Sequence, residues 1–330
     1  MNRAILGTIL VAALAIAVLL GVRFGSVPIA TSEVWAALTG GGDATTRDIV
    51  LRLRLPRVLL AVLVGGGLAI AGATFQAILR NPLAEPYILG ISGGASVGAV
   101  LALSSGLAAA RQWVLPLAAF AGALLAIAVV FRVATAAGRV MDVRVLLLAG
   151  VVVAAFFAAC IAFILSVSPA RTVQSAVLWI MGSLAGASWR TVVLTAAYTI
   201  PSTLLLVGLA RPLNLMAIGE ETAHYLGADV EGVKRWSLGV AALVTASGVA
   251  FAGVIGFVGL VVPHAVRLLV GSDHRALLPL SFLAGGAFLA LADLVARLAL
   301  SPTEIPVGVI TAFVGVPLFL VLLRRSVSVA

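Results

Sequence analysis

The chain is poor in charge, in cysteine and above all in lysine. Asp, Glu, Lys and Arg make up only 10% of its 330 residues, against about 25% in a soluble fold, so a water-soluble globule is excluded. Its one cysteine, Cys160, excludes an intramolecular disulfide and any multi-cysteine zinc or iron–sulfur site. Set in the apolar run from Val151 to Leu165, it reads as a small packing residue. Lys234 is the single lysine, and it follows Gly232-Val233 rather than the glycine-rich string of a phosphate loop. The chain therefore has no ATP-cradling loop of its own. His224, His264 and His274 are not spaced as a ligand pair on one helix, and no carboxylate cluster joins them within a span, which argues against a metal site.

What the sequence has in abundance is apolar length. Hydrophobic residues make up 62% and the mean hydropathy is +1.22, spread along the whole chain, which asks for many spans of about 20 residues. The fold class is an all-α polytopic membrane protein. Ala4 to Val22 is too long for a cleavable signal and reads as an uncleaved first helix. Further spans are expected at Val58 to Leu79, Ile88 to Leu107, Trp113 to Ala136, Val143 to Leu165 and Thr191 to Leu209. Arg211 to Arg235 is the longest hydrophilic interval. It divides a single domain, 1–330, into six helices (1–210), a loop (211–235) and the remaining helices (236–330).

Trp236 to Gly271 is too long for one straight span and too short for two full ones. With Gly253, Gly256, Gly259 and Pro263 as breakers, the reading is a full helix to Ala252 and a short one near Phe257 to Val270. Leu277 to Ala299 and Val307 to Leu323 complete ten helices with both termini on one side. Leu68 to Gly72 followed by Asn81-Pro82 faintly echoes Val249 to Gly253 followed by Pro263-His264. The two stand five spans apart, the arrangement of a weak inverted repeat. Gly90, Gly94 and Gly98 leave one face of the third helix as bare backbone for close helix packing.

The net charge of +9 comes almost wholly from arginine, and nucleic acid, anionic lipid and an acidic protein are its possible partners. With cytoplasmic termini the inner side carries the larger share of basic residues, as the positive-inside rule asks. The margin is narrowed by an outer cluster, Arg47 to Arg57, for which the alternatives are lipid headgroups and carboxylates on an external protein. Asp293 and Arg297 are spaced as a helical ion pair.

Two rival functions have candidate residues in the sequence. Gly90-Ile91-Ser92-Gly93 with His264 is the pairing an intramembrane serine protease would use, but in a chain with 34 glycines Ser92 is better explained by the small-residue face. An ion-coupled secondary transporter needs a titratable or cation-coordinating group at mid-span; the acids instead cluster in loops and at helix ends, with Asp293 the nearest exception.

Several long strings, in one fixed order over nearly the whole chain, resemble the FecCD-type permeases of bacterial ATP-driven importers for siderophores, haem and cobalamin. They are Leu53-Arg54-Leu55-Pro56-Arg57, Asn81 to Pro86, Leu89 to Ala95, Trp179 to Leu184, Gly219 to Ala223 with Leu226-Gly227, Gly256 to His264, Asp273-His274-Arg275 and Glu304 to Gly308. The resemblance implies a transport subunit, not an enzyme, in the bacterial inner membrane. Its partners would be a second copy of itself, two cytoplasmic ATPases that carry the ATP and Mg, and a periplasmic binding protein, with no nucleic acid. The resemblance implies that the loop between the sixth and seventh helices forms short coupling helices, so that Gly219, Glu220, Glu221, Ala223, Leu226 and Gly227 would contact the ATPase, and Arg54, Arg57 and Arg297 the binding protein. Arg139, Asp142 and Arg144 are the candidate inner gate, and the fifth, eighth and tenth spans the candidate walls of the path. No residue distinguishes one cargo from another.

Overall fold

The computed structural model describes residues 2–136 and 141–327, and the described residues form helices and connections without strands. In chain order, α1 (Arg3–Arg23) leads through the short α2 (Thr31–Leu38) and α3 (Ala44–Asp48) to a π-helical turn, Ile49–Arg54. This runs without a break into α4 (Leu55–Ile78). A 3₁₀ turn, Pro86–Leu89, precedes α5 (Ile91–Ser104), followed by α6 (Leu107–Ala110), α7 (Val114–Ala134) and α8 (Val143–Ser166). Next come α9 (Ala170–Ile180), α10 (Trp189–Gly208), α11 (Ala210–Ile218), α12 (Glu220–Tyr225) and α13 (Val230–Ala252). The chain closes with α14 (Val258–Val270), α15 (His274–Leu298) and α16 (Val307–Val327).

Among the described residues, seven helices are long and apolar enough to cross a membrane: α1, α4 with its preceding turns, α7, α8, α10, α13 and α15. The shorter α5 and α14 are apolar too, as is the described part of α16. Polar residues stop and start the helices where the chain leaves the apolar layer. Asp43, Asp142, Asp229 and Asp273 each accept a backbone N–H from the first turn of the helix that follows, satisfying donors that have no intrahelical partner. Ser188 and Thr191 form a reciprocal cap on α10.

The core is built around α4, buried on nearly every face and packed on α15, α13, α14 and α10. Its glycines permit this. A methyl on Gly65 would strike the carbonyl of Gly285 on α15, a methyl on Gly285 would strike that of Gly65, and one on Gly72 would strike the carbonyl of Gly259. Lipid tails are as apolar as the side chains, so helices associate by such close backbone approach more than by a hydrophobic force.

The expected break after Ala252 is present. Gly253 (φ 68°) and Phe257 (φ 68°) take left-handed conformations, and the unwound backbone between them is bound by the connection that follows α4. Tyr87 Oη donates to the Ile255 carbonyl (3.1 Å) and accepts from the Ile255 N–H (3.2 Å), while Glu85 Oε1 accepts from the Phe257 N–H (2.8 Å). Non-helical backbone at depth is stable only when satisfied in this way. Both short helices, α5 and α14, thus follow a left-handed residue, Gly90 (φ 75°) and Phe257, and their leading segments brace each other.

Two hydrogen-bonded ends orient the bundle. Arg3 at the start of α1 pairs with Asp273 ahead of α15 (2.8 Å), and Arg297 near the end of α15 donates to the carbonyls of Gly21 and Phe24 at the end of α1 (both 3.2 Å). The two helices therefore run parallel, start beside start and end beside end, and since Asn214 of α11 also bonds Asp273, α13 and α14 together carry the chain across from that end and back.

Candidate functional site

At the end marked by Arg3, the hydrophilic interval from Arg211 to Arg235 is not an open loop. It folds as α11, α12 and the first turns of α13. Gly219 (φ 146°) makes the corner between α11 and α12, and Gly227 (φ 84°) ends the motif. Ala223 is fully buried, while Glu221 is exposed and Leu226 is 61% exposed. Ile218 (68%) and Tyr225 (80%) stand exposed around it. Three large apolar side chains thus stand exposed on an otherwise polar segment. Ile218 and Tyr225 were missed in the sequence because helix corners cannot be seen in composition.

Glu220 turns the other way. Its carboxylate accepts from Lys234 Nζ at 2.8 Å, and Lys234 is fully buried. The same Nζ donates to the Met141 carbonyl (2.7 Å) and lies 2.7 Å from Glu231 Oε1, an ion-pair contact rather than an aligned hydrogen bond. Asp142 and Arg144 of the candidate gate lie at the N-terminus of α8, where Asp142 accepts the Arg144 N–H at 2.7 Å. Arg139 lies outside the described residues.

At the opposite end the three singled-out arginines are brought together, but they face inward. Arg54, 5% exposed, donates Nη1 to the carbonyls of Val22 (3.1 Å) and Arg23 (2.8 Å) and Nη2 to that of Val27. Arg297, also 5% exposed, donates to the end of α1 and pairs through Nε with Asp293 (3.1 Å). Arg57 forks twice. Its Nε and Nη2 reach Asp293 at 3.0 and 2.9 Å, and its Nη1 and Nη2 reach Glu304 at 2.9 Å. Asp293, 1% exposed, therefore sits between two guanidinium groups. In the isolated chain these arginines do not present free charge to an external partner: Arg54 and Arg297 position the end of α1, and Arg57 reaches the surface through its half-exposed partner Glu304. The exposed arginines at this end include Arg47 and Arg52, the latter paired with Asp48 at 3.2 Å.

Gly94 and Gly98 lie against α7, where an added methyl would strike the carbonyls of Gly122 and Ala118. Gly90 differs: it is the left-handed N-cap of α5, and it faces Val153 and Gly150 of α8. Ser92 follows in the first turn of α5, and no hydrogen bond joins it to His264, whose buried Nδ1 has no partner among the described residues. Asp293, the acid that comes nearest to what a secondary transporter would use, lies near the end of α15 and is held by Arg57 and Arg297. No group of three His, Cys, Asp or Glu that could hold a metal ion occurs among the described residues.

An apolar groove of about 560 Å³ runs between Ile180 and Met181 at the end of α9, Val254 in the unwound segment, and Val309, Phe313 and Pro317 on α16. Phe313 is 74% exposed. Leu148, Val151, Val152 and Phe156 form an exposed apolar face on α8.

The model of the FecCD transport family matches residues 13–325. The cobalamin import system permease protein BtuC of Halobacterium salinarum is 47% identical over 297 residues, covering 90% of this chain and 79% of the relative. The hemin transport system permease protein HmuU of Yersinia pestis is 38% identical over 333 residues, covering 98% and 96%. A solved structure of a metal-chelate type ABC transporter in an inward-facing conformation superposes with a TM-score of 0.86 at 32% identity, covering 98% of this chain and 99% of that one.

Proposed function

The chain belongs to the FecCD transport family, and from that membership we propose that it is the membrane permease of an ATP-driven importer for an iron chelate (siderophore or haem) or cobalamin. Two copies would form the path, two cytoplasmic ATPases would bind ATP and Mg and work it, and a periplasmic binding protein would deliver the cargo. The observation that carries this reading is the match along nearly the whole chain to permeases named for cobalamin and for hemin.

The ATPase contact is proposed at Gly219, Glu220, Glu221, Ala223, Leu226 and Gly227, with Tyr225 and Ile218 added. The exposed apolar side chains would fill a cleft in the partner, while Gly219 and Ala223 set the corner and seat α12. Docking of the binding protein is proposed at the Arg54, Arg57 and Arg297 end. Arg57 is the member whose outer carboxylate, Glu304, can be exchanged for one on the partner, and Arg54 and Arg297 hold the surface in shape. A bulky chelate would pass along α8, α14 and α16, whose apolar faces bind weakly enough to release it; affinity is left to the external protein. Asp142 and Arg144, with Arg139, would close the inner mouth. The excess of arginine on the side of the termini supports cytoplasmic termini, and the family membership supports the inner membrane.

The test is uptake into liposomes by the reconstituted complex, with labelled cobalamin, haem and a ferric siderophore offered in turn. Uptake of one of them that requires ATP, the ATPase and the binding protein, and that falls at least about tenfold in Leu226→Ala with Tyr225→Ala, is the expected result. Uptake driven by an ion gradient without the ATPase overturns the reading.

A further inference from the structure

Lys234 occupies a place that neither its abundance in the sequence nor the contact surface of α12 explains. A lysine with no solvent exposure is rare unless its charge is paired. Here the ammonium divides its donors among three separate elements. One goes to Glu220 at the start of α12 (2.8 Å), one to the Met141 carbonyl ahead of α8 (2.7 Å), and the third side faces Glu231 in the first turn of α13 (2.7 Å). Glu231 then returns to the same residue, accepting the Met141 N–H through Oε2 at 2.8 Å. Both backbone polar groups of Met141 are therefore held by one ion pair. Met141 is 1% exposed and directly precedes Asp142, the N-cap of α8.

The packing makes this route a narrow one. The substantial contacts of α12 are with α11 and α13, and those of α8 are with α5, α7 and the 3₁₀ turn at Pro86–Leu89. Neither helix leans broadly on the other. A displacement of α12 has a short polar path to α8, through Glu220, Lys234 and Met141.

We infer that Lys234 is a positioning residue that ties the surface helix α12 to the N-terminus of α8, so that movement imposed on the one is passed to the other. The inference rests on the reading of α12 as the ATPase contact, and it adds the element that contact moves. An ammonium suits the task better than apolar packing. Its short bonds resist extension in a water-poor interior, where electrostatic attraction is strong. Three partners converging on one atom leave no member free to slip alone.

The experiment uses a Cys160→Ala chain with nitroxide labels at Thr222→Cys on α12 and Leu148→Cys on α8, diluted with unlabelled chain in lipid nanodiscs. With Lys234 present the interlabel distance distribution is expected to be narrow. In Lys234→Met combined with Glu231→Gln, which removes the tie and one of the charges left behind, it should be at least about twice as wide while helix content is retained. A second arm adds the ATPase subunits and a non-hydrolysable ATP analogue. Both labels should respond in the parent, and only the α12 label in the variant. An equally narrow distribution in the variant, or an α8 response that survives the loss of Lys234, overturns the inference. Silence of both labels in the parent complex would instead count against the importer reading, and the first arm would still decide the tie.

Discussion

Asp293 is the residue on which the Arg23 end of the molecule depends. Two guanidinium groups, those of Arg57 and Arg297, converge on a carboxylate that is 1% exposed. Removing one member of a buried pair leaves charge without compensation, at a cost of about 3–5 kcal/mol. Asp293→Ala should therefore lower the stability of the detergent-solubilised chain severely, measured by thermal unfolding. Arg52→Ala, which breaks an exposed pair with Asp48, should change it by less than about 1 kcal/mol. Asp273 supplies a prediction in pH. The amide of Asn214, the Arg275 N–H and the Arg3 guanidinium hold its carboxyl well below the usual 3.8, at about 2. Its folded value is the lower one, so its contribution to stability is complete above the unfolded value and is lost as pH falls through about 2. Asp273→Asn should flatten the acid limb of the stability profile in that window and leave the neutral region with its own, pH-independent change.

Between elements, the decisive contacts are made by backbone. Gly65 of α4 and Gly285 of α15 each leave room for the carbonyl of the other, so a side chain at either position must push apart the two most extensively packed helices of the molecule. Gly285→Val is expected to cost at least about 1–3 kcal/mol by overpacking and to reduce the folded yield in membranes. Gly7→Ala on α1 is the contrast. Its methyl would meet only the end of Leu280 at 3.7 Å, and the substitution should be neutral or mildly stabilising through lower backbone entropy of the unfolded chain. Both can be read from size-exclusion yield and thermal unfolding of the same preparation.

For the whole molecule, the parallel pairing of α1 and α15, start with start and end with end, fixes which surfaces face the same compartment. In a Cys160→Ala background, single cysteines at Arg3, Glu221 and Arg324 should react with an impermeant maleimide from one side of sealed vesicles. Those at Arg47, Arg111 and Arg190 should react from the other. Labelling of Arg3 and Glu221 from opposite sides would contradict the path through α14.

The sequence by itself determined the class, the span positions and the break between α13 and α14, because each depends on local quantities: apolar length, the placement of glycine and proline, and polar caps. The strings from Leu53 to Arg57 and from Gly219 to Gly227 also carried the family. It left α9 unseen, since an 11-residue helix with Arg171 and Gln174 is too short and too polar to register as a span. Only the tertiary structure decided where charge goes. Arg54 and Arg57 read along the chain as free cations beside a surface, Arg297 as the ion-pair partner of Asp293, as it is, and Lys234 as an ordinary charge in a loop. In an interior without water a charge must find its partner at whatever sequence distance the fold provides, so Arg57 meets Glu304, and Lys234 meets Met141, across separations that no local pattern encodes.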